Sequence, residues 1–212
     1  MRGLREAVAA VFLVAIASGP VRAQLPEPGP DPFAISVGGV AGIPAGNLAL
    51  EDPVDGLYAT PGPGLTQRFA WSPLRSWGVF FQASFPAFGA DLEALERDFP
   101  LDLEEGRNRL QQWDMGIRWR GGRSWLEGPY LEIMGGIHRA RTEFDVAGED
   151  TLRSQTGDWS PGFGLAAGWA VPVGPAFALE SSVVMHSFED EDFLYRWFGI
   201  RILAVMTFGG RG

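Results

Sequence analysis

The sequence predicts an all-β chain, an eight-stranded antiparallel up-and-down transmembrane β-barrel over residues 33–208, and three observations predict it. Eight runs alternate apolar and mixed positions with a period of two, so each has one greasy face and one mixed face. The connections between the runs alternate strictly between long acidic ones and short ones rich in Gly, Pro and Arg. The apolar faces carry Trp or Phe near their ends, as the interfacial girdles of membrane barrels do.

Ahead of the first run, residues 1–23 read as a secretory signal. Arg2 and Arg5 make a basic start, Ala7 to Ala17 an apolar centre and Val21-Arg22-Ala23 a cleavage site. Residues 24–32, QLPEPGPDP, form a proline-rich spacer expected to be extended. The first strand follows at 33–42, with Phe33, Ile35 and Val37 on one face. The second, at 65–74, sets Phe69 and Trp71 against Arg68, Ala70 and Ser72. The third, at 77–88, sets Trp77, Val79, Phe81, Ala83 and Phe85 against Phe80, Gln82 and Ser84.

The connection 89–108 holds ADLEALERDF, whose Leu92, Leu95 and Phe99 predict a short helix that Asp91 could cap. The fourth strand, 109–120, has the cleanest alternation. Trp113, Met115, Ile117 and Trp119 oppose Gln112, Asp114, Gly116, Arg118 and Arg120. In the fifth, 129–144, Leu131, Ile133 and Ile137 oppose Tyr130, Glu132, Met134 and His138. After an acidic connection at 145–158, the sixth strand at 159–171 turns Phe163, Leu165, Ala167, Trp169 and Val171 one way. Its other face is all small: Gly162, Gly164, Ala166, Gly168 and Ala170. The seventh, 177–188, sets Phe177, Leu179, Val183 and Met185 against Glu180, Ser182, Val184 and His186. The eighth, Tyr195–Phe208, places Phe198, Ile200, Ile202, Ala204, Met206 and Phe208 on one face and Trp197, Arg201, Leu203 and Thr207 on the other. A tail, 209–212, closes the chain.

Energetics decide which face is inside. A charge on the lipid side near the bilayer midplane costs about 2–4 kcal/mol. The face with Arg68, Asp114, Arg118, Glu132, Glu180 and Arg201 is therefore the lumen, where three arginines and three carboxylates predict a charge network. Trp71, Trp77, Trp113, Trp119, Trp169 and Phe208 are expected against lipid. An even strand number puts both termini on the periplasmic side and the long connections outside.

On these residues the chain resembles the small eight-stranded outer-membrane barrels of the OmpA/OmpX type. The carrying feature is the last strand, with apolar residues at alternate positions back from Phe208 through Met206, Ala204, Ile202, Ile200 and Phe198. The resemblance implies a bacterial outer-membrane location. It also implies contact with outer-membrane lipids and lipopolysaccharide, and delivery by the barrel-assembly machinery through the C-terminal strand. No peptidoglycan-binding domain follows the barrel, so an anchoring role is not implied.

Composition removes several functions. The formal charge is −9, and loss of the signal, with Arg2, Arg5, Arg22 and Glu6, would leave about −11, so a nucleic-acid partner is not expected. Cysteine is absent, which excludes disulfides and thiolate sites. His138 and His186 are the only histidines and no other soft ligand is evident, so neither metal site nor cofactor is expected. His186-Ser187 with Glu189 nearby suggests a triad, but neighbouring strand residues point to opposite faces, and no enzyme is expected. The expected role is structural or surface-interacting: a monomer with a closed lumen, bulky side chains plugging it, and acidic loops that could take a surface ligand. The alternative is a narrow gated pore for small solutes or ions; a lipid A-modifying enzyme comes third.

Overall fold

The structure is a computed structural model, which describes residues 33–50, 57–74, 76–98, 102–121, 126–148, 153–190 and 193–209. The expected signal and spacer at 1–32 and residues 210–212 of the expected tail lie outside the described residues. Eight long strands make the wall: β1 (Phe33–Gly46), β3 (Gly62–Trp71), β4 (Trp77–Ala90), β5 (Leu103–Arg120), β6 (Gly128–Val146), β8 (Ser160–Gly174), β9 (Phe177–Asp190) and β10 (Phe193–Phe208). Two short strands, β2 (Ala59–Thr60) and β7 (Arg153–Thr156), and one helix, α1 (Leu92–Asp98), belong to the long connections.

Every pairing is antiparallel and the order is β1-β3-β4-β5-β6-β8-β9-β10. The first and last strands then pair over the full length of β1, from Phe33 opposite Phe208 to Gly46 opposite Tyr195. Closure leaves the wall no free edge, which is the only way a sheet can satisfy its backbone polar groups in lipid. The Phe33 ring stacks on Phe208 across the seam at 6.0 Å and on Phe69 of β3 at 5.9 Å.

The outward row is apolar along each strand, for example Met115 and Ile117 on β5 and Leu131 and Ile133 on β6, all exposed. Such a contiguous apolar wall is stable only against hydrocarbon. Trp71, Trp77, Trp113, Trp119 and Phe208 sit on this wall, and Trp169 lies there half-buried.

Strand limits differ from the sequence expectation in a consistent way. On the side of the long connections β1, β5 and β6 run on to Gly46, back to Leu103 and on to Val146, beyond the expected 42, 109 and 144. Backbone pairing continues there with Arg, Asn and Glu side chains, so apolar alternation stops before the ladder does. At the opposite end β3 stops at Trp71 and not at 74, because Pro73 has no N–H to give the ladder. Ser72 Oγ instead donates to the carbonyls of Leu74 and Trp77 at 2.9 and 3.0 Å, holding the turn. β2 and β7 are too short to leave a period in the sequence.

The end carrying the long connections is capped. Asp91 precedes α1 and accepts from Ala94 N–H at 3.1 Å, as the sequence suggests. The helix buries Ala94 and Leu95 against Tyr58, Leu103 and Val146. Tyr58 holds a left-handed backbone (φ 50°), with its carbonyl accepting from Asp91 N–H at 2.8 Å and its hydroxyl donating to Asp98 Oδ2 at 2.6 Å. The acidic residues Glu51, Asp52, Asp55, Glu149, Asp150, Glu191 and Asp192 lie outside the described residues.

Candidate functional site

The lumen is built in layers, each set by which inward residues the strand stagger brings to one height. Midway, one layer of charged side chains crosses the barrel. Glu132 of β6 accepts from Arg68 of β3 through two bonds of 2.8 and 3.0 Å, from Arg118 Nε of β5 at 2.7 Å and from Arg201 Nη2 of β10 at 2.6 Å. Arg118 also makes a fork to Glu180 of β9, with bonds of 2.5 and 2.7 Å. Gln82 of β4 accepts from Arg68 and Arg201 at 2.8 and 2.7 Å, and Ser182 accepts from Arg201 Nε at 3.1 Å. Six of the eight wall strands thus supply a side chain to one network, and all of these residues are buried.

Forked Arg–carboxylate pairs are the strong, geometrically demanding kind of hydrogen bond. Burying five charges is tolerable here because each finds a partner; an isolated one would cost several kcal/mol. Aromatic faces complete the shell: the Arg68 guanidinium lies 4.5 Å from the Phe80 ring centre and that of Arg118 lies 4.0 Å from Tyr130. The small face of β8 makes the room. A side chain at Gly168 would meet the Tyr130 ring at 2.6 Å, and one at Gly164 would meet Met134 at 2.9 Å.

Of the six residues expected in the lumen charge network, Arg68, Arg118, Glu132, Glu180 and Arg201 meet in this layer. Asp114 does not. It is inward and buried, but it lies nearer the long connections and its partner is His138, whose Nε2 is 2.8 Å from Asp114 Oδ1. His186 of β9 faces the same point, with Nδ1 3.8 Å from Asp114 Oδ2. The sequence shows no other soft ligand beside the two histidines; 24 residues separate Asp114 from His138 and a further 48 separate His138 from His186, and only barrel stagger joins them. His186 stacks on Trp197 in the lumen, whereas Ser187 takes the next position along the strand and hence the opposite face, so the two form no dyad.

A second feature lies outside. Above the apolar row of β5 and β6, the outward positions become Arg107, Arg109, Arg139 and Arg141. Glu143 bridges Arg109 and Arg141 at 3.3 and 2.9 Å, Glu105 pairs with Arg107, and Arg139 lies over the Trp159 ring at 4.5 Å. Four guanidiniums thus gather on one strip of an acidic chain, three of them paired with Glu105 or Glu143. The sequence reading, drawn to the acidic loops, missed it; the signal was the run of arginines continuing the lipid-facing parity past Trp113 and Ile137.

No known family pattern matches the sequence, and no curated protein matches it. Solved structures do. The attachment invasion locus protein Ail of Yersinia pestis, in complex with the heparin analogue sucrose octasulfate, matches at 14% identity and a TM-score of 0.55, covering 84% of this chain and 99% of that one. Neisserial surface protein A matches at 12% identity and 0.52, covering 83% and 97%. The chain therefore has the fold of the small eight-stranded outer-membrane barrels.

Proposed function

We propose that the protein is a closed barrel of the bacterial outer membrane with a structural and surface-interaction role, working through its outer rim and loops. The observation that carries this reading is the single hydrogen-bonded layer around Glu132, in which six strands contribute side chains and bulky Phe80, Tyr130 and Met134 lie against Arg68, Arg118 and Gln82. A pore through this layer would have to separate three arginines from two carboxylates at once. We read no catalytic role, since His186 and Ser187 lie on opposite faces of β9 and the inward Ser182 is taken up by Arg201.

The rim arginines support contact with the anionic headgroups of outer-membrane lipopolysaccharide, at the height where the lipid-facing row ends. A polysulfated ligand bound to Ail is consistent with polyanion chemistry on barrels of this shape, and the acidic loops leave room for a basic partner. The closing strand ending at Phe208 is the segment offered to the assembly machinery, and a wall without edges gives no strand to a second copy, so a monomer is the expected form.

Planar-bilayer recording tests the closed lumen. The wild-type chain is expected to give no steady conductance, and Glu132→Ala to introduce a leak. Steady wild-type conductance would replace this reading with the pore.

A further inference from the structure

Asp114, His138 and His186 come from three strands, β5, β6 and β9, and meet at one enclosed point of the lumen. One ligand atom of each lies within 4.8 Å of the others, and all three residues are fully buried. His138 Nε2 and Asp114 Oδ1 are in direct contact at 2.8 Å. The other pairing is different: Asp114 Oδ2 and His186 Nδ1 are 3.8 Å apart, and neither has a hydrogen-bond partner among the described residues. That separation is too long for a hydrogen bond. It falls within the span of two ligands each about 2.0–2.2 Å from one shared ion.

The rings are held in place by packing. Trp197 stacks on His186 with centroids 4.7 Å apart and planes 8° from parallel, and Phe188 meets His138 edge-on at 5.5 Å. β8 has glycine where it passes both rings; a Cβ at Gly164 would come within 2.9 Å of His186 Nδ1. The two imidazoles therefore approach the two oxygens of one carboxylate, His138 Nε2 at Oδ1 and His186 Nδ1 toward Oδ2.

Charge narrows what such a donor set can hold. In the neighbouring layer three arginines face two glutamates, so a hard cation attracted only by one carboxylate is disfavoured; Ca²⁺ and Mg²⁺ also require many oxygen ligands. Imidazole nitrogens bind first-row transition cations through donor bonds. Two histidines and one carboxylate make a three-ligand zinc set with a fourth position for water. We propose that Asp114, His138 and His186 form an intraluminal site for a divalent first-row transition metal ion, which ties β5, β6 and β9 together across the barrel. The proposal is independent of the closed-lumen reading, because a leaking barrel could hold the ion and a sealed one could lack it.

The test uses the untagged chain extracted from membranes in detergent, its folding checked by heat-modifiable gel migration. After exposure to Zn²⁺ and desalting, elemental analysis is expected to find about one zinc per chain, falling about tenfold or more in Asp114→Asn and in His186→Gln. Co²⁺ in place of Zn²⁺ is expected to give the intense visible absorption of a four-coordinate site, and Zn²⁺ to raise the unfolding temperature in a way that a chelator reverses. Folded wild-type chain that retains no zinc and shows no cobalt band overturns the proposal, whatever the variants do. Folded variants that keep the wild-type stoichiometry overturn it equally.

Discussion

Arg118 and Glu132 face each other across β5 and β6 in register, and Arg118 Nε donates to Glu132 Oε1 at 2.7 Å. The other end of the same guanidinium crosses the lumen to Glu180 on β9. A contact between neighbouring strands is thereby extended into a bond across the barrel, and Glu132 becomes the shared acceptor of three arginines.

Removing that acceptor has a large expected cost. Glu132→Ala leaves Arg68, Arg118 and Arg201 short of a partner and should destabilise the barrel by about 3–5 kcal/mol. Glu132→Gln, which keeps the shape and one acceptor oxygen, should lose less. Urea unfolding in detergent followed by tryptophan fluorescence measures both; an alanine variant as stable as the parent contradicts the network.

The next residue along the strand should respond to charge for the opposite reason. Ile133 is 68% exposed and lies opposite Ile117 and Leu165 in the apolar belt. Ile133→Arg should cost about 2–4 kcal/mol in a lipid bilayer if it lies near the midplane. The matching change at the rim, Gln111→Arg, should cost far less. Equal losses at the two depths would argue against the assigned belt.

The closure seam gives a steric prediction. A Cβ at Gly38 would fall 1.9 Å from the Ile202 carbonyl oxygen and 2.8 Å from the Leu203 Cα, both backbone atoms of β10. Gly38→Val should prevent β1 from pairing with β10, and the heat-modifiable folded band should be lost. At Gly39 the nearest atom would be 3.7 Å away, so Gly39→Ala should fold normally and serve as the control.

At the capped end, Tyr58→Phe removes the hydroxyl that donates to Asp98. A hydrogen bond to a charged group is worth about 1.5–3 kcal/mol. Amide hydrogen exchange within Leu92–Asp98 should quicken, while exchange in the mid-barrel strands stays unchanged. Uniform acceleration through the wall would mean that the cap and the barrel open together.

The face assignments were legible because they are local. A period of two tells Arg68 from Phe69 and Glu132 from Ile133 without any knowledge of neighbours, and the midplane cost of charge then says which side is lumen. Strand ends were less legible, since Arg107, Asn108 and Arg109 carry on the ladder after the apolar signal has stopped.

By itself, the sequence determined the all-β class, the eight wall strands, the antiparallel succession and the two sides of the wall, because alternation and turn chemistry are written along the chain. Only the tertiary structure decided heights within the lumen. Stagger accumulates strand by strand around a closed barrel, so which inward side chains share a layer depends on every register at once. That is why Glu132 gathers three arginines, and why Asp114, expected among them, sits with His138 and His186.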